Sequence, residues 1–153
     1  VEQPPRAGAV GDRPAAHLMG LATATCWTML READHGVLAT SHPQRGVDAV
    51  PVVFIVDGDW IVIPIDTVKE KSTTRLQRLH NIVADARVVV LVEHFEDDWT
   101  ALWWVRANGR AIEAGLTDEW HKAFAAKYPQ YADDGTIASV MVMTVESVSG
   151  WAA

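Results

Sequence analysis

The sequence predicts a mostly β fold with helices: an antiparallel β-barrel of about six strands with two or three helices inserted between them. Valine-rich segments of strand length follow one another in runs, separated by short turn signals. Segments with helical spacing interrupt these runs only a few times. These observations disfavour a doubly wound α/β fold, whose strands alternate with helices, and the glycine-rich dinucleotide loop is absent.

The chain of 153 residues and 16.8 kDa fits one domain. Prolines and glycines among small residues predict a flexible tail over residues 1–14, so we expect a single domain over residues 15–153. No run is apolar enough for a membrane span, and no signal peptide is visible. The single cysteine, Cys26, excludes an internal disulfide, and its helical apolar surroundings predict an inert core residue. These features are typical of a cytoplasmic protein.

The first half should contain one helix and three strands. Apolar residues recur at helical spacing over Ala15–Ala33, and this helix should end before Gly36. The strands are predicted at Gly36–Ser41, Asp48–Val56 and Trp60–Ile65, with turns at His42–Gly46 and Asp57–Asp59. Short turns between consecutive strands predict a meander. Pro51 and Pro64 lack the N–H that a ladder needs, so they should lie at edges, bulges or strand ends.

The second half returns to strands after a basic segment. They are predicted at Arg87–Phe95, Trp99–Glu113 and Ile137–Val148. Asn108-Gly109 fits a hairpin turn or a bulge, and the short piece after it favours a bulge. Glu96–Asp98 is predicted as an acidic turn. A helix is predicted over Thr117–Tyr128, with Thr117 as its N-cap and Pro129 as its end.

Charge is distributed unevenly. The net charge of −7 argues against a nucleic-acid partner, which needs a basic surface. Between positions 69 and 87, however, five basic residues stand against two acids: Lys69, Lys71, Arg75, Arg78 and Arg87 against Glu70 and Asp85. A local cationic segment in an acidic protein indicates a small anionic ligand rather than a polymer.

A helix that starts near Ser72 or Thr73 would present this charge on one face, because Lys71, Arg75 and Arg78 are spaced by four and three. An adjacent apolar face would pack on the barrel, and it consists of Leu76, Leu79 and Val83. The helix start and these cations are suited to hold a phosphate. The alternative is a solvated basic stripe that pairs with the acids at positions 96–98.

Three blocks in this order carry a resemblance to a known family: Val50–Asp59, Lys69–Ile82 and Val92–Arg106. They resemble the pyridoxamine-phosphate-oxidase-like split-barrel flavoproteins, and more narrowly an actinobacterial branch of F-420-dependent (deazaflavin) enzymes. The resemblance covers about residues 36–151. It implies a split β-barrel of the FMN-binding type and a homodimer with two cofactors, each in a groove between the subunits.

The resemblance also implies which residues contact the cofactor. The phosphate contacts would be Lys69, Lys71, Arg75 and Arg78. Asn81 would belong to the same site, although His80 stands where many members have the arginine of an Arg-Asn pair. The ring contacts, partly through backbone groups, would be Thr40, Pro51, Val52, Val53, Pro64 and Ile65.

The resemblance and the spread of cations favour coenzyme F-420 over FMN, because F-420 carries an oligoglutamate tail beyond its phosphodiester. The first hypothesis is therefore an F-420-dependent oxidoreductase that transfers a hydride to or from a small organic substrate. The alternatives are an FMN-dependent oxidoreductase and a carrier that binds the cofactor without turnover. No catalytic residue is identified, since hydride transfer requires no side-chain acid or base.

The sequence predicts neither a metal site nor a tryptophan that stacks on the ring. No two of the six histidines lie at ligand spacing, so no metal site is predicted, and His94 among acids is the best of the set. Trp103 and Trp104 must point to opposite sides of a strand, so one should face the barrel and the other an interface or groove. Dimer packing explains the outer tryptophan better than ring stacking does.

Overall fold

The computed structural model describes residues 20–67 and 73–153, with the backbone alone for 73–76. The helices in this part are α1 (Thr23–Glu32), α2 (Thr73–Ala84) and α3 (Asp118–Lys127). The strands are β1 (Gly36–His42), β2 (Gly46–Val52), β3 (Ile55–Asp57), β4 (Trp60–Asp66), β5 (Arg87–His94), β6 (Trp103–Ala114) and β7 (Ile137–Ala152). The predicted tail at positions 1–14 lies outside the described residues.

All strand pairs in the described part are antiparallel, and the seven strands follow the spatial order β2-β1-β5-β6-β7-β4-β3. The predicted class, mostly β with helices, is confirmed. The predicted meander is wrong, because β2 and β3 lie at opposite ends of this order. The segment 48–56 is thus two strands rather than one, which makes two hairpins instead of a three-stranded unit.

Side chains from α3 explain the break between β2 and β3. The Phe54 N–H donates to the Tyr128 hydroxyl (3.2 Å), and the Phe54 carbonyl accepts from Lys127 Nζ (2.9 Å). Tyr128 Oη also lies 2.9 Å from that carbonyl and 2.8 Å from the carbonyl of Asp34. Because the backbone polar groups of Phe54 are satisfied by side chains, the chain leaves the ladder here without a buried unpaired group.

The sheet curls into a barrel around one apolar core. Alternate residues of β1, β5 and β6 point inward, as period-two strands require. The same cluster takes in Val52 of β2 and Phe54 just before β3, so the two ends of the strand order share one interior. The inward residues include Leu38, Ile61, Ile63, Val90, Val105, Ala107 and Met143.

A second apolar cluster lies on the other side of β4, where α3 packs. Its members are Ile55, Val62, Phe124, Ile137, Val140 and Val142. Thr117 caps α3 as predicted, since its side chain accepts a hydrogen bond from the Trp120 N–H (3.1 Å). Residues 61–65 of β4 are consequently buried on both faces.

The predicted bulge at Asn108-Gly109 is confirmed. The β6–β7 register shifts between these two residues, and Glu146 of β7 is the unpaired extra residue. A Cβ on Gly109 would lie 2.0 Å from the carbonyl oxygen of Thr144. Only glycine fits this close backbone approach.

α1 and β6 begin later than predicted, and β7 continues to Ala152, beyond the predicted end at Val148. The first helix begins at Thr23 rather than Ala15, and residues 15–19 lie outside the described part. Its inner face buries Cys26 and Leu30, so the prediction that the cysteine is a core residue is confirmed. The strand predicted from Trp99 begins at Trp103, because Asp98 caps a short 3₁₀ turn at Trp99–Ala101 by accepting from the Thr100 N–H (3.0 Å).

Candidate functional site

Two strand edges lie open at the split of the barrel. β2 has β1 on one side and no described strand on the other. β3 covers β4 only as far as Val62, so the stretch of β4 from Ile63 to Asp66 has β7 as its one neighbour in the described part. Free strand edges present backbone donors and acceptors, which suit the polar rim of a flat heterocycle.

The structure places the six predicted ring-contact residues around this split and the adjoining barrel interior. Pro51 is exposed and Val53 is half-buried. The side chains of Val52, Pro64 and Ile65 are buried in the protein. Only the backbones of these three residues would be available to a ring, because their side chains belong to the interior. Pro51 in the edge strand β2 and Pro64 in the uncovered part of β4 confirm the expected edge positions.

Helix α2 packs on β1 with a face that differs from the predicted one. Leu79, Asn81 and Ile82 are buried, whereas Val83 is 88% exposed. The prediction that Val83 packs on the barrel is therefore wrong, because the helix is rotated so that Asn81 instead turns inward. Leu76 was predicted on the same face, and its side chain lies outside the described part.

This rotation turns one cation of the predicted row toward the protein. Arg78 is half-buried, and its Nε atom is buried. Near the end of β4, burial and then the hydrogen bond to Asp66 raise the pKa of Tyr131, and the charge of Arg78 opposes this shift as the smallest of its causes. Lys69 and Lys71 lie outside the described residues, and Arg75 belongs to α2 with its side chain outside the described part.

The end of β4 is held firmly beside this cation. The Tyr131 hydroxyl donates to Asp66 Oδ1 (2.7 Å). The Thr67 N–H donates to the Thr136 carbonyl (3.1 Å), and the Thr67 hydroxyl donates to the Gly135 carbonyl (2.8 Å). These bonds fix the point at which the chain leaves β4 toward the basic segment.

Thr40 of β1 and Asn81 of α2, both predicted as contacts, meet where the helix packs on the strand. The Asn81 amide nitrogen donates to the Thr40 hydroxyl and to Asp48 Oδ2, each at 2.9 Å. Asp48 also accepts two hydrogen bonds from Arg45 (3.0 and 3.1 Å). The bonds from Asn81 and then Arg45 hold the pKa of Asp48 below its usual value.

The alternative of a solvated stripe paired with the acidic turn receives no support from the described contacts of that turn. Glu96 lies 2.6 Å from His94 Nε2, and Asp98 is bonded to Thr100. Both acids thus engage neighbours in their own loop, as expected for an acidic turn.

An aromatic cleft of about 510 Å³ opens on the outer side of β5 and β6, and its lining includes Leu102, Trp104 and Trp151. One of the two neighbouring tryptophans packs on the core, as predicted, although both line this cleft. Trp103 packs against the core and stacks on His94 at 6.3 Å, whereas Trp104 lies beside Arg106 with 5.4 Å between guanidinium and ring centre. Phe95 and Trp99, both exposed, pair edge to face next to the cleft.

The outer faces of β1, β5 and β6 form a strip without a covering helix in the described part. In the register, Val37 stands opposite Leu91, and Leu91 opposite Arg106. Val37 is 37% exposed, and a second cleft of about 520 Å³ continues the strip past Ala39 and Val89. Alternate residues on these strands point outward, so the strip is continuous across three strands.

Metal-ligand geometry and membrane-spanning helices are both absent from the described chain. No group of three or more His, Cys, Asp or Glu side chains in residues 20–67 and 73–153 is arranged to hold a metal ion. None of the helices in the same part is long and apolar enough to cross a membrane.

Four residues that shape the site had no signal specific enough to identify them from the sequence: Asp66, Lys127, Tyr128 and Tyr131. The only available hint was their position, since Lys127 and Tyr128 end a predicted helix and Asp66 follows a predicted strand. Their partners are more than sixty residues away, and local patterns carry no information about such pairs.

Comparison with known proteins identifies the family to which the chain is similar. The family model for pyridoxamine 5'-phosphate oxidase matches residues 22–150. No curated protein matches the chain.

Solved structures share the fold. A conserved hypothetical protein from Mycobacterium tuberculosis is 19% identical, with a TM-score of 0.69 and coverage of 92% of this chain and 90% of that one. A FAD-binding protein from Mesorhizobium loti is 17% identical, with a TM-score of 0.64 and coverage of 88% and 95%. The FAD-binding protein from Mycobacterium smegmatis is 16% identical, with a TM-score of 0.58 and coverage of 87% and 96%. At these identities the likeness establishes the split-barrel fold alone.

Proposed function

The chain belongs to the pyridoxamine 5'-phosphate oxidase family, and from this premise we propose that it is an oxidoreductase that uses coenzyme F-420. Its reaction transfers a hydride between the reduced cofactor and a small organic substrate. We assign it to the actinobacterial F-420-dependent branch on the three sequence blocks described above. The buried single cysteine fits a reducing cytoplasm as the place of action.

The position of Arg78 is the observation that carries this proposal. A solvated stripe would direct that guanidinium into water, but Arg78 is half-buried and its Nε atom is buried. The same corner contains the uncovered edge of β4. A cation next to free backbone groups is the combination that a phosphorylated planar ring requires.

The residues present fit such a cofactor. Arg78 would hold a phosphate oxygen, and Lys69, Lys71 and Arg75 would extend the cationic surface along an anionic tail. The backbones of residues 51–53 and 64–65 would meet the polar rim of the ring, with Pro51 exposed at the edge. A bound deazaflavin supplies the hydride chemistry itself. The chain's contribution is to orient the ring and to exclude water from one of its faces.

A flavin is the second candidate cofactor, on a specific observation. Two of the similar structures are described as FAD-binding proteins. The four basic residues at 69, 71, 75 and 78 favour F-420 over FMN, because its oligoglutamate tail adds several negative charges. The oxidoreductase and the non-catalytic carrier differ only in turnover.

We further propose that the protein forms a homodimer through the uncovered strip on β1, β5 and β6. Val37, Leu91 and Trp104 make this face apolar, and no described helix covers it. An exposed apolar sheet face is typical of a subunit interface. The family resemblance implies that two cofactors lie in grooves between the subunits of such a dimer.

A titration of the apo-protein with F-420, FMN and FAD in parallel tests the cofactor. We expect the tightest binding for F-420 and a decrease in affinity with added salt that is steeper for longer glutamate tails. Arg78→Ala should weaken binding by about tenfold to a hundredfold, because a charge-assisted contact contributes about 1–3 kcal/mol. Arg78→Lys should recover part of the loss.

Lys122→Ala on the exposed side of α3 is the charge-matched control and should leave the affinity unchanged. Tighter binding of FMN or FAD would favour the second candidate, and unchanged affinity in Arg78→Ala would refute the phosphate contact. Turnover of the reduced cofactor with enones, quinones or tetrapyrroles separates the enzyme from the carrier.

A further inference from the structure

Asn81 is a fully buried polar residue in the middle of a barrel-facing helix surface. It is 0% exposed, between the apolar neighbours Leu79 and Ile82, which are also buried. Asparagine is a poor helix former, and burial of an amide costs free energy unless its groups are bonded. Its place in α2 therefore requires an explanation from its contacts.

The hydrogen-bonding capacity of this amide is used within the protein. Its two N–H donors go to the Thr40 hydroxyl (2.9 Å) and Asp48 Oδ2 (2.9 Å). Its oxygen accepts from Gln77 Nε2 (2.9 Å), one turn earlier on the same helix. No N–H of Asn81 remains to donate to a phosphate or a ring.

The two acceptors of the Asn81 amide, Thr40 and Asp48, lie on neighbouring strands of the barrel. Thr40 and Asp48 stand opposite each other in the β1–β2 register, and Arg45 in the turn between these strands holds Asp48 from the solvent side. One amide of α2 thus clamps both strands of the hairpin. β2 of that hairpin is also one of the two open edges at the split.

Directional hydrogen bonds of this kind determine the rotation of α2 on the barrel, which apolar packing alone does not determine. Leu79 and Ile82 could keep contact with the core after a small rotation or slide of α2, because apolar contacts are not directional. The hydrogen bonds of Asn81 would be lost after such a movement, since hydrogen bonds weaken steeply with distance and angle. Arg78 lies three residues earlier, about 4.5 Å along the axis, so the direction in which its side chain leaves the helix follows the rotation that Asn81 sets.

We propose that Asn81, with Thr40 and Asp48, is a positioning residue: it fixes the rotation of α2 on the β1–β2 hairpin and thereby directs the Arg78 guanidinium toward the cofactor phosphate. This inference rests on the proposed function. It assigns Asn81 and Thr40 an indirect role at the site, in place of the direct contact that the family resemblance implies.

Asp48→Ala gives the sharpest test in the full-length protein, because charge and position predict opposite results. Loss of a carboxylate and release of Arg45 should tighten the binding of an anionic cofactor by electrostatics alone. Loss of the acceptor for Asn81 should instead weaken it, and we expect about tenfold weaker binding of F-420 or FMN. Asp59→Ala in the β3–β4 turn is the charge-matched control and should leave affinity unchanged or slightly tighter.

A second pair of variants separates position from general stability. Thr40→Val removes the hydroxyl at nearly constant shape and should weaken cofactor binding, whereas Thr40→Ser keeps the acceptor and should retain it. Ile82→Val destabilises the same helix without touching the network, so its affinity should remain that of the wild type. Hydrogen exchange of the apo-protein should be faster in Thr40→Val at the Asp85 amide, which donates to the Asn81 carbonyl (2.8 Å).

The outcomes are distinct. Wild-type protein that binds none of the three cofactors would overturn the proposed function together with this inference. Wild-type binding with equal or tighter affinity in Asp48→Ala would overturn the positioning role alone. Equal loss of affinity in Thr40→Val and Ile82→Val would mean that the network only stabilises the helix. That result would also overturn the positioning role.

Discussion

At the scale of single residues, Lys127 connects three parts of the fold. Its ammonium donates to the Phe54 carbonyl (2.9 Å), lies 3.5 Å from the Arg31 carbonyl and stands 4.7 Å above the Phe54 ring. Burial lowers its pKa, and the charge of Asp34 acts against this effect. The carbonyl of Arg31 belongs to the last turn of α1, so the cation also satisfies a helix end. Lys127 thereby holds α1, α3 and the break between β2 and β3 together.

Lys127→Ala should consequently destabilise the protein by about 1–2 kcal/mol, from a charge-assisted hydrogen bond and a half-exposed cation–π contact. Lys127→Met keeps the apolar stem over Phe54 and should lose less. Urea denaturation measures both changes, and Lys122→Ala on the exposed side of the same helix provides the baseline. A loss in Lys127→Ala no larger than that of Lys122→Ala would refute this role.

At the scale of elements, α3 depends on its first turn. Thr117 caps the helix, Asp118 and Glu119 complement its positive end, and Trp120 reaches back to donate its indole N–H to Asp57 Oδ2 (2.8 Å). The helix in turn buries Phe124 against β4 and β7. A correct start therefore aligns both the second core cluster and the contacts of Lys127 and Tyr128 at the other end of the helix.

Thr117→Ala should cost about 1 kcal/mol of unfolding free energy, because the Trp120 N–H loses its acceptor. Thr117→Ser retains an oxygen at the same place, so it should remain within a few tenths of a kcal/mol of the wild type. Equilibrium denaturation of the two variants side by side decides the question. Equal losses would mean that the side-chain methyl group, and not the cap, is what matters.

At the scale of the whole molecule, the uncovered strip on β1, β5 and β6 determines how two copies would meet. Val37→Glu places a charge in the middle of the proposed interface and should shift the dimer toward monomers at micromolar concentration. Sedimentation equilibrium measures the shift. Val83→Glu is the matched control, because Val83 is 88% exposed on α2, away from the strip, and it should remain dimeric.

A wild-type protein that sediments as a monomer would contradict the dimer. A Val37→Glu variant that remains as dimeric as the control would place the interface on another surface.

Local patterns were sufficient for much of the architecture. Valine-rich segments between turn signals identified most strands, Thr117 and Pro129 bounded α3, and Asn108-Gly109 marked the bulge. Each of these signals depends on residues adjacent in sequence, so it can be recognised without knowledge of the fold. The basic segment before and along α2 was also visible, although its position relative to the split was not.

The sequence by itself determined the class of fold, the order of its helices and of most strands, and the presence of a basic segment along α2. Only the tertiary structure decided that β2 and β3 separate to opposite edges, that Val83 faces solvent and that Asn81 and Arg78 turn inward. The physical reason is that these features depend on partners distant in sequence. Tyr128 and Lys127 satisfy the backbone of Phe54, and Thr40 and Asp48 hold the amide of Asn81. Hydrogen bonds between distant residues leave no periodicity in the chain, so they become apparent only once the barrel has closed.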